Sequence, residues 1–163
     1  MEIKKIRVDS GLVLVDYTTN QGDFRIKTTE EPSSNLLRAI VALKNIFIRR
    51  MELATVTERV MVHGFESGRD DEGQWFRING VYTANLVGHK LRTPKVMHPG
   101  DPEEFWVDKD PYEYPAYLDS DEVDLIEMAY EEAKAFVLGH RDQLPLGLEE
   151  SVEGEGEIYD FGN

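Results

Sequence analysis

The chain of 163 residues contains no cysteine. Disulfides, zinc–thiolate sites, iron–sulfur clusters and thiol nucleophiles are therefore excluded, and a reducing cytoplasm suits such a sequence. No apolar stretch approaches the ~20 residues that span a bilayer, since Leu12 to Val15 and Leu36 to Leu43 are the longest. Met1-Glu2-Ile3-Lys4-Lys5 lacks the apolar core of a signal peptide, so the expectation is a cytoplasmic protein with no membrane partner. Glycine-rich phosphate loops are missing, and the four histidines show no His-x-x-x-His or His-Glu-x-x-His spacing. Positive charge is scarce in the second half. Residues 97–163 hold 3 Lys or Arg against 20 Asp or Glu, whereas residues 1–96 hold 15 against 12. The net charge of −14 thus hides a mildly basic body followed by a strongly acidic region, and the two halves fit different partners.

What is present describes one globular domain. Hydrophobic residues make up 40% and charged residues 31%, which excludes collagen, coiled coil and wholesale disorder. Ile3 to Val8, Leu12 to Thr18 and Phe24 to Thr28 read as three strands separated by turns at Gly11 and Gly22. Leu12 to Thr18 is apolar on both faces and reads as the central strand. Phe24 and Ile26 are expected to point inward, Arg25 and Lys27 outward. Pro32-Ser33-Ser34 opens a helix with a serine at its cap and an apolar face of Leu36, Leu37, Ile40, Val41, Leu43, Phe47, Ile48 and Met51. Thr55 to Phe65, Gln74 to Tyr82 and Thr83 to Lys90 read as further strands, the last after a bend at Gly80. Residues 93–119 hold five of the seven prolines, with Phe105, Trp106, Tyr112, Tyr114 and Tyr117, and read as an ordered loop across the body; a disordered loop is the alternative. Asp121 to Leu138 is the second helix, with Asp121 and Asp124 at its cap, Val123, Ile126, Tyr130, Ala133 and Val137 as its buried stripe, and Gly139 as its stop.

The expected fold class is therefore α+β, an antiparallel sheet in βββα-βββ-α order packed against two amphipathic helices. Residues 1–140 form one domain, and residues 141–163 an acidic, disordered tail.

Catalytic constellations are hard to find. Ser10, Ser33, Ser34, Ser67, Ser120 and Ser151 fall at turns, caps or the tail, and none has an evident base beside it. His98 with Asp101, Glu103 and Glu104 could gather around a cation, but carboxylates in such a loop are ordinarily solvated. The reading is a protein that is not an enzyme and uses no cofactor or metal.

Nucleic-acid binding has more support. Lys4, Lys5, Arg7, Arg25 and Lys27 belong to the first strands, and Trp75 and Arg77, with Asn79, share the outer face of a later one. Cations beside an exposed aromatic on a sheet face can track single-stranded DNA, with phosphates on Lys or Arg and bases stacked at ~1–3 kcal/mol each. The competing reading is a solvated face whose Trp75 lies under the 93–119 loop. The end of the chain, with Ile158, Tyr159, Asp160 and Phe161, resembles the acidic, aromatic-tipped tails of single-stranded-DNA-binding proteins, which dock partner proteins. Here Gly162 and Asn163 follow the aromatic.

Several segments together resemble a family of small uncharacterised bacteriophage and prophage proteins. They are Thr28-Thr29-Glu30-Glu31-Pro32 leading into Leu36 to Leu43, Val62-His63-Gly64-Phe65, Leu91-Arg92-Thr93-Pro94, and Glu131 to Gln143. The resemblance implies a phage accessory protein encoded near recombination and replication genes, and it supplies no catalytic residues. Three strands followed by a helix are also similar in topology to the core of single-strand annealing proteins. The expectation is a protein of phage DNA metabolism that holds single-stranded DNA on its sheet and a phage or host protein through its tail. The rival expectation is an acidic inhibitor of a host DNA-processing or defence enzyme, with residues between Asp101 and Glu132 imitating phosphates. A third is a small-molecule binder or enzyme with its site beneath residues 93–119.

Overall fold

The computed structural model describes residues 1–143. Strands β1 (Glu2–Asp9), β2 (Leu12–Thr19) and β3 (Gly22–Thr28) form a meander, and β4 (Val60–Asp70), β5 (Gly73–Ala84) and β6 (Val87–Arg92) form a second. β1 pairs with β4 and joins them into one antiparallel sheet of order β3-β2-β1-β4-β5-β6. The short β7 (Val96–Met97) adds to β5 beyond the end of β6. This is the expected α+β class, although β1 and β4, not β2, stand at its centre.

Strand alternation sends one row of side chains inward. Ile3, Ile6, Val13, Val15, Tyr17, Ile26, Phe65, Phe76 and Ile78 are buried under α1 (Ser34–Ala42), α2 (Lys44–Met51) and α4 (Ser120–Gln143). Phe24 shares the inward register with Tyr17 and stacks on it at 5.5 Å, but the helices do not reach it and it stays 40% exposed.

The helical layer departs from the expected pattern in three places. The first helix breaks at Leu43, whose amide bonds Ile40 O three residues back, and the tightened turn lets Ile46 and Phe47 join Leu36 and Ile40 in the core. Thr55 to Arg59 is not strand: α2 ends with Glu52 in a left-handed conformation (φ 58°), and a 3-10 segment, Ala54–Arg59, carries the chain to β4. Connection geometry overrides the β-branched composition there. The cap of α4 lies two residues earlier than the sequence implies. Asp119 accepts from the Glu122 amide at 2.8 Å while Glu122 accepts from the Asp119 amide at 3.0 Å, a reciprocal box, and the helix continues through Gly139 to Gln143. Burial pushes the Asp119 carboxyl up, but the Glu122 amide and the Arg49 guanidinium outweigh it and hold the pKa below the usual aspartate value. The stability this contributes is complete at neutral pH and is lost as pH falls through the lowered pKa.

Glycines in β4 and β5 mark close approaches. A Cβ on Gly64 would meet Ile6 O at 1.8 Å, so β1 and β4 can pair only through a glycine there. Gly80 does not bend the chain; β5 runs through it, and its missing side chain leaves room for Phe47. The turn comes instead at Asn85 and Leu86, both at positive φ.

Residues 93–119 are ordered by hydrogen bonds to β5 at Thr93 and His98 and by contacts to the helical layer. α3 (Pro102–Phe105) precedes a 3-10 turn, Pro111–Glu113, and Phe105 packs against Trp106, Tyr114 and Tyr117. Arg50 clasps this segment to α4: it donates to Pro115 O, to Tyr117 O at 3.0 Å, and through two nitrogens to Glu122 at 2.5 and 3.2 Å. Glu122 is 4% exposed. Removing one member of a buried pair leaves an uncompensated charge, so Glu122→Ala should lower unfolding stability by about 3–5 kcal/mol in urea melts.

Candidate functional site

The outer face of the sheet carries no helix, and its side chains remain half-exposed or exposed. The ladder register aligns them in rows. Lys27, Leu14, Arg7, Gly64, Asn79 and Arg92 cross all six strands in one row. Arg25, Asp16, Lys5, Glu66 and Arg77 form the next, with charge alternating in sign from strand to strand. Trp75 stands beyond Arg77 on β5, opposite Gly68.

Ion pairing then decides which cations remain available. Asp16 is held by Arg25 through two bonds of 2.7 and 3.0 Å. Glu66 stands opposite Arg77 but gives its carboxylate to Arg92 at 3.1 Å. Arg7 pairs with Asp9 at 3.0 Å and Lys4 with Glu2 at 3.2 Å. Lys5, Lys27, Arg77 and Lys90 are left without an ion pair among the described residues.

Of the residues singled out from sequence, Lys5, Lys27, Trp75 and Arg77 therefore share one open face in usable form. Arg25 lies on that face but is neutralised by Asp16. Lys4 occupies a bulge in β1 and is tied to Glu2. The bulge itself is stabilised from the core side, where Ile3 N–H donates to the Tyr130 hydroxyl at 3.0 Å and Ile3 O accepts from Ser67 at 2.6 Å. Ile158, Tyr159, Asp160 and Phe161 lie outside the described residues.

Lys90 and Arg92 were not among the candidate contacts read from sequence. Placing the β5–β6 turn at Asn85, a residue that tolerates positive φ, would have put them opposite Val81 and Asn79.

Trp75 is not beneath the 93–119 segment's aromatic cluster, which packs on itself and, through the Trp106 indole, on Leu118 O at 3.0 Å. Its ring lies over Gly68 with the Lys95 ammonium 4.6 Å from its centre. His98 is likewise structural: Nδ1 accepts from the Gly100 amide at 3.0 Å, which places the proton on Nε2, and Nε2 donates to Glu127 at 2.8 Å. No three His, Asp or Glu among the described residues gather as a metal site.

Nothing matches. Comparisons with protein families, with curated proteins and with solved structures find no counterpart of this chain. The outer face must accordingly be judged on its own chemistry: rows of cations at strand spacing, one seated tryptophan, and a depression of about 300 Å³ lined by Lys5, Arg7, Asn79, Lys90 and Arg92. No helix among the described residues is long and apolar enough to cross a membrane.

The seat of Trp75 is testable. A Cβ on Gly68 would fall 2.7 Å from the indole, so Gly68→Ala should displace the ring from Lys95. In a Trp106→Phe background, the expected readout is a shift in tryptophan emission with β-sheet circular dichroism unchanged; an unaltered spectrum would contradict the packing.

Proposed function

We propose that this protein is a non-enzymatic accessory protein of phage DNA metabolism that binds single-stranded DNA on the outer face of its sheet, in the cytoplasm. The observation that carries the reading is the set Lys5, Lys27, Arg77 and Lys90, cations on one helix-free face that no carboxylate among the described residues neutralises. Trp75 adds a ring on which a base that displaces the Lys95 ammonium can stack at ~1–3 kcal/mol. The phage assignment rests on the sequence resemblance, and the tail's docking role on its acidic, aromatic composition.

The acidic half does not oppose this arrangement. Residues 97–143 hold 14 Asp or Glu against 3 Lys or Arg, so most of the negative charge belongs to the helical side and not to the tail. The exposed Asp121, Asp124, Glu127 and Glu131 of α4 are a helix diameter of ~10 Å or more from the sheet. They therefore repel a strand on the outer face less than carboxylates of that face would.

Binding of a labelled oligonucleotide, followed by fluorescence anisotropy, should weaken with salt with a log–log slope of about −3, the value for roughly four phosphates on a single strand. Lys27→Ala should flatten that slope by about 0.7, and Lys5→Glu with Lys27→Glu should remove most of the affinity, while Lys4→Ala should do much less. Undiminished affinity in the double charge reversal would refute the interface.

A second reading is favoured by the same ordered carboxylates. Asp121, Asp124 and Glu131 are exposed along α4, and a fixed row of carboxylates can occupy the basic groove of a DNA-processing or defence enzyme. Recovery of such an enzyme from host lysate, with loss of capture on neutralising those three residues, would support it; recovering none would remove it.

A further inference from the structure

Two polar atoms of the outer face are buried without a hydrogen-bond partner among the described residues: Arg77 Nε and Asn79 Oδ1. They stand on the same face of β5, two residues and so ~7 Å apart. One is a donor and the other an acceptor. Arg77 lost its cross-strand carboxylate because Glu66 is held by Arg92. A buried group with an unmade hydrogen bond destabilises the unliganded protein, and a ligand that completes the bond recovers that loss.

Each orphan has an opening beside it. Arg77 lines a cleft of about 500 Å³ where β6 ends and the chain passes to β7, together with Arg50, Arg92, Thr93 and Glu52. Asn79 lines the depression of about 300 Å³ described above. Arg92 lines both, so the two hollows adjoin across one guanidinium. Glu52 is the one lining acid of the first and Glu66 of the second, and with Arg50 held by Glu122, Arg92 by Glu66 and Arg7 by Asp9, Arg77 remains unpaired in the first and Lys5 and Lys90 in the second. The fitting ligand is an anion.

A simple carboxylate would satisfy Arg77 but would bring no donor to Asn79. A nucleotide with an amino-bearing base brings both, a phosphate oxygen for the guanidinium and an exocyclic N–H for the side-chain carbonyl. Asparagine is a geometric match to adenine for this reason. We propose that the adjoining hollows form a nucleotide subsite, in which Arg77 and Arg92 take the phosphate and Asn79 takes the amino edge of adenine or cytosine. The subsite rests on the strand-binding reading and adds base preference to it, whereas the remaining cations of the face are indifferent to sequence.

The test uses the full chain with labelled homopolymers of dA, dC and dT of equal length. The dA and dC strands should bind at least about fivefold more tightly than dT. Asn79→Ala should erase that preference by bringing dA and dC binding down to the level of dT, while Arg77→Gln should weaken all three. In a parallel NMR titration, dAMP should move the Arg77 Nε–Hε signal and the Asn79 side-chain amide saturably, and acetate, which has no donor, should move Arg77 alone. Equal binding of the homopolymers, or a preference that survives in Asn79→Ala, overturns the subsite while leaving strand binding intact. If no homopolymer binds, the proposed function fails, and the dAMP titration decides the subsite alone: a saturable shift at both residues keeps it as a site for a free nucleotide, and no shift overturns it.

Discussion

Burial of a single sheet face governs the rest of this structure. α1, α2 and α4 pack against the inward row of Ile3, Ile6, Val15, Phe65, Phe76 and Ile78, and every alternate residue is turned to the opposite side by the pleat. Pairing of β1 with β4 extends that face across both meanders, and Gly64 permits it by leaving Ile6 O unobstructed. The Arg50–Glu122 clasp then fixes residues 111–118 against the helical layer, which keeps the aromatic cluster off the outer face, while the start of the segment reaches it through Lys95 over Trp75. The open face is thus a consequence of where the core is built.

Charge follows the same division in part. Residues 97–143 are rich in acids, whereas nine of the 15 cations of the first 96 residues lie in the strands, with Arg38, Lys44, Arg49 and Arg50 in α1 and α2. Within the outer face a finer sorting operates, because carboxylates are fewer than cations and each can hold only so many. Asp16 holds Arg25, Glu66 holds Arg92, and Asp9 holds Arg7. What remains unpaired is spread across β1, β3, β5 and β6, along the direction a nucleic-acid backbone would take over the sheet.

Much of the fold was legible because it is encoded locally. Alternation in β3 and β5 assigns Arg25, Lys27, Trp75 and Arg77 to the outer side, and three- and four-residue spacing assigns the buried stripes of α1 and α4. The departures arise where distant parts of the chain decide. Leu43, Glu52 and the 3-10 segment at Ala54–Arg59 answer to the path from helix to β4, which composition does not encode. The α4 cap shifted to Asp119 because Glu122 serves both the box and Arg50. At the site, the outward direction of Arg25 was readable but its neutralisation was not, since Asp16 becomes its neighbour only through the β2–β3 register. Lys90 and Arg92 were missed for a related reason: their row depends on where the β5–β6 turn falls.

The central claim is that the open face of the sheet, and no other surface, meets the strand. Amide and side-chain chemical-shift mapping of the full chain against a short single-stranded oligonucleotide tests it most directly. The account predicts perturbations concentrated at Lys5, Arg7, Lys27, Trp75, Arg77, Asn79 and Lys90, with α1 and α4 unmoved. Perturbations confined to the helical layer, or none at saturating oligonucleotide, would contradict it.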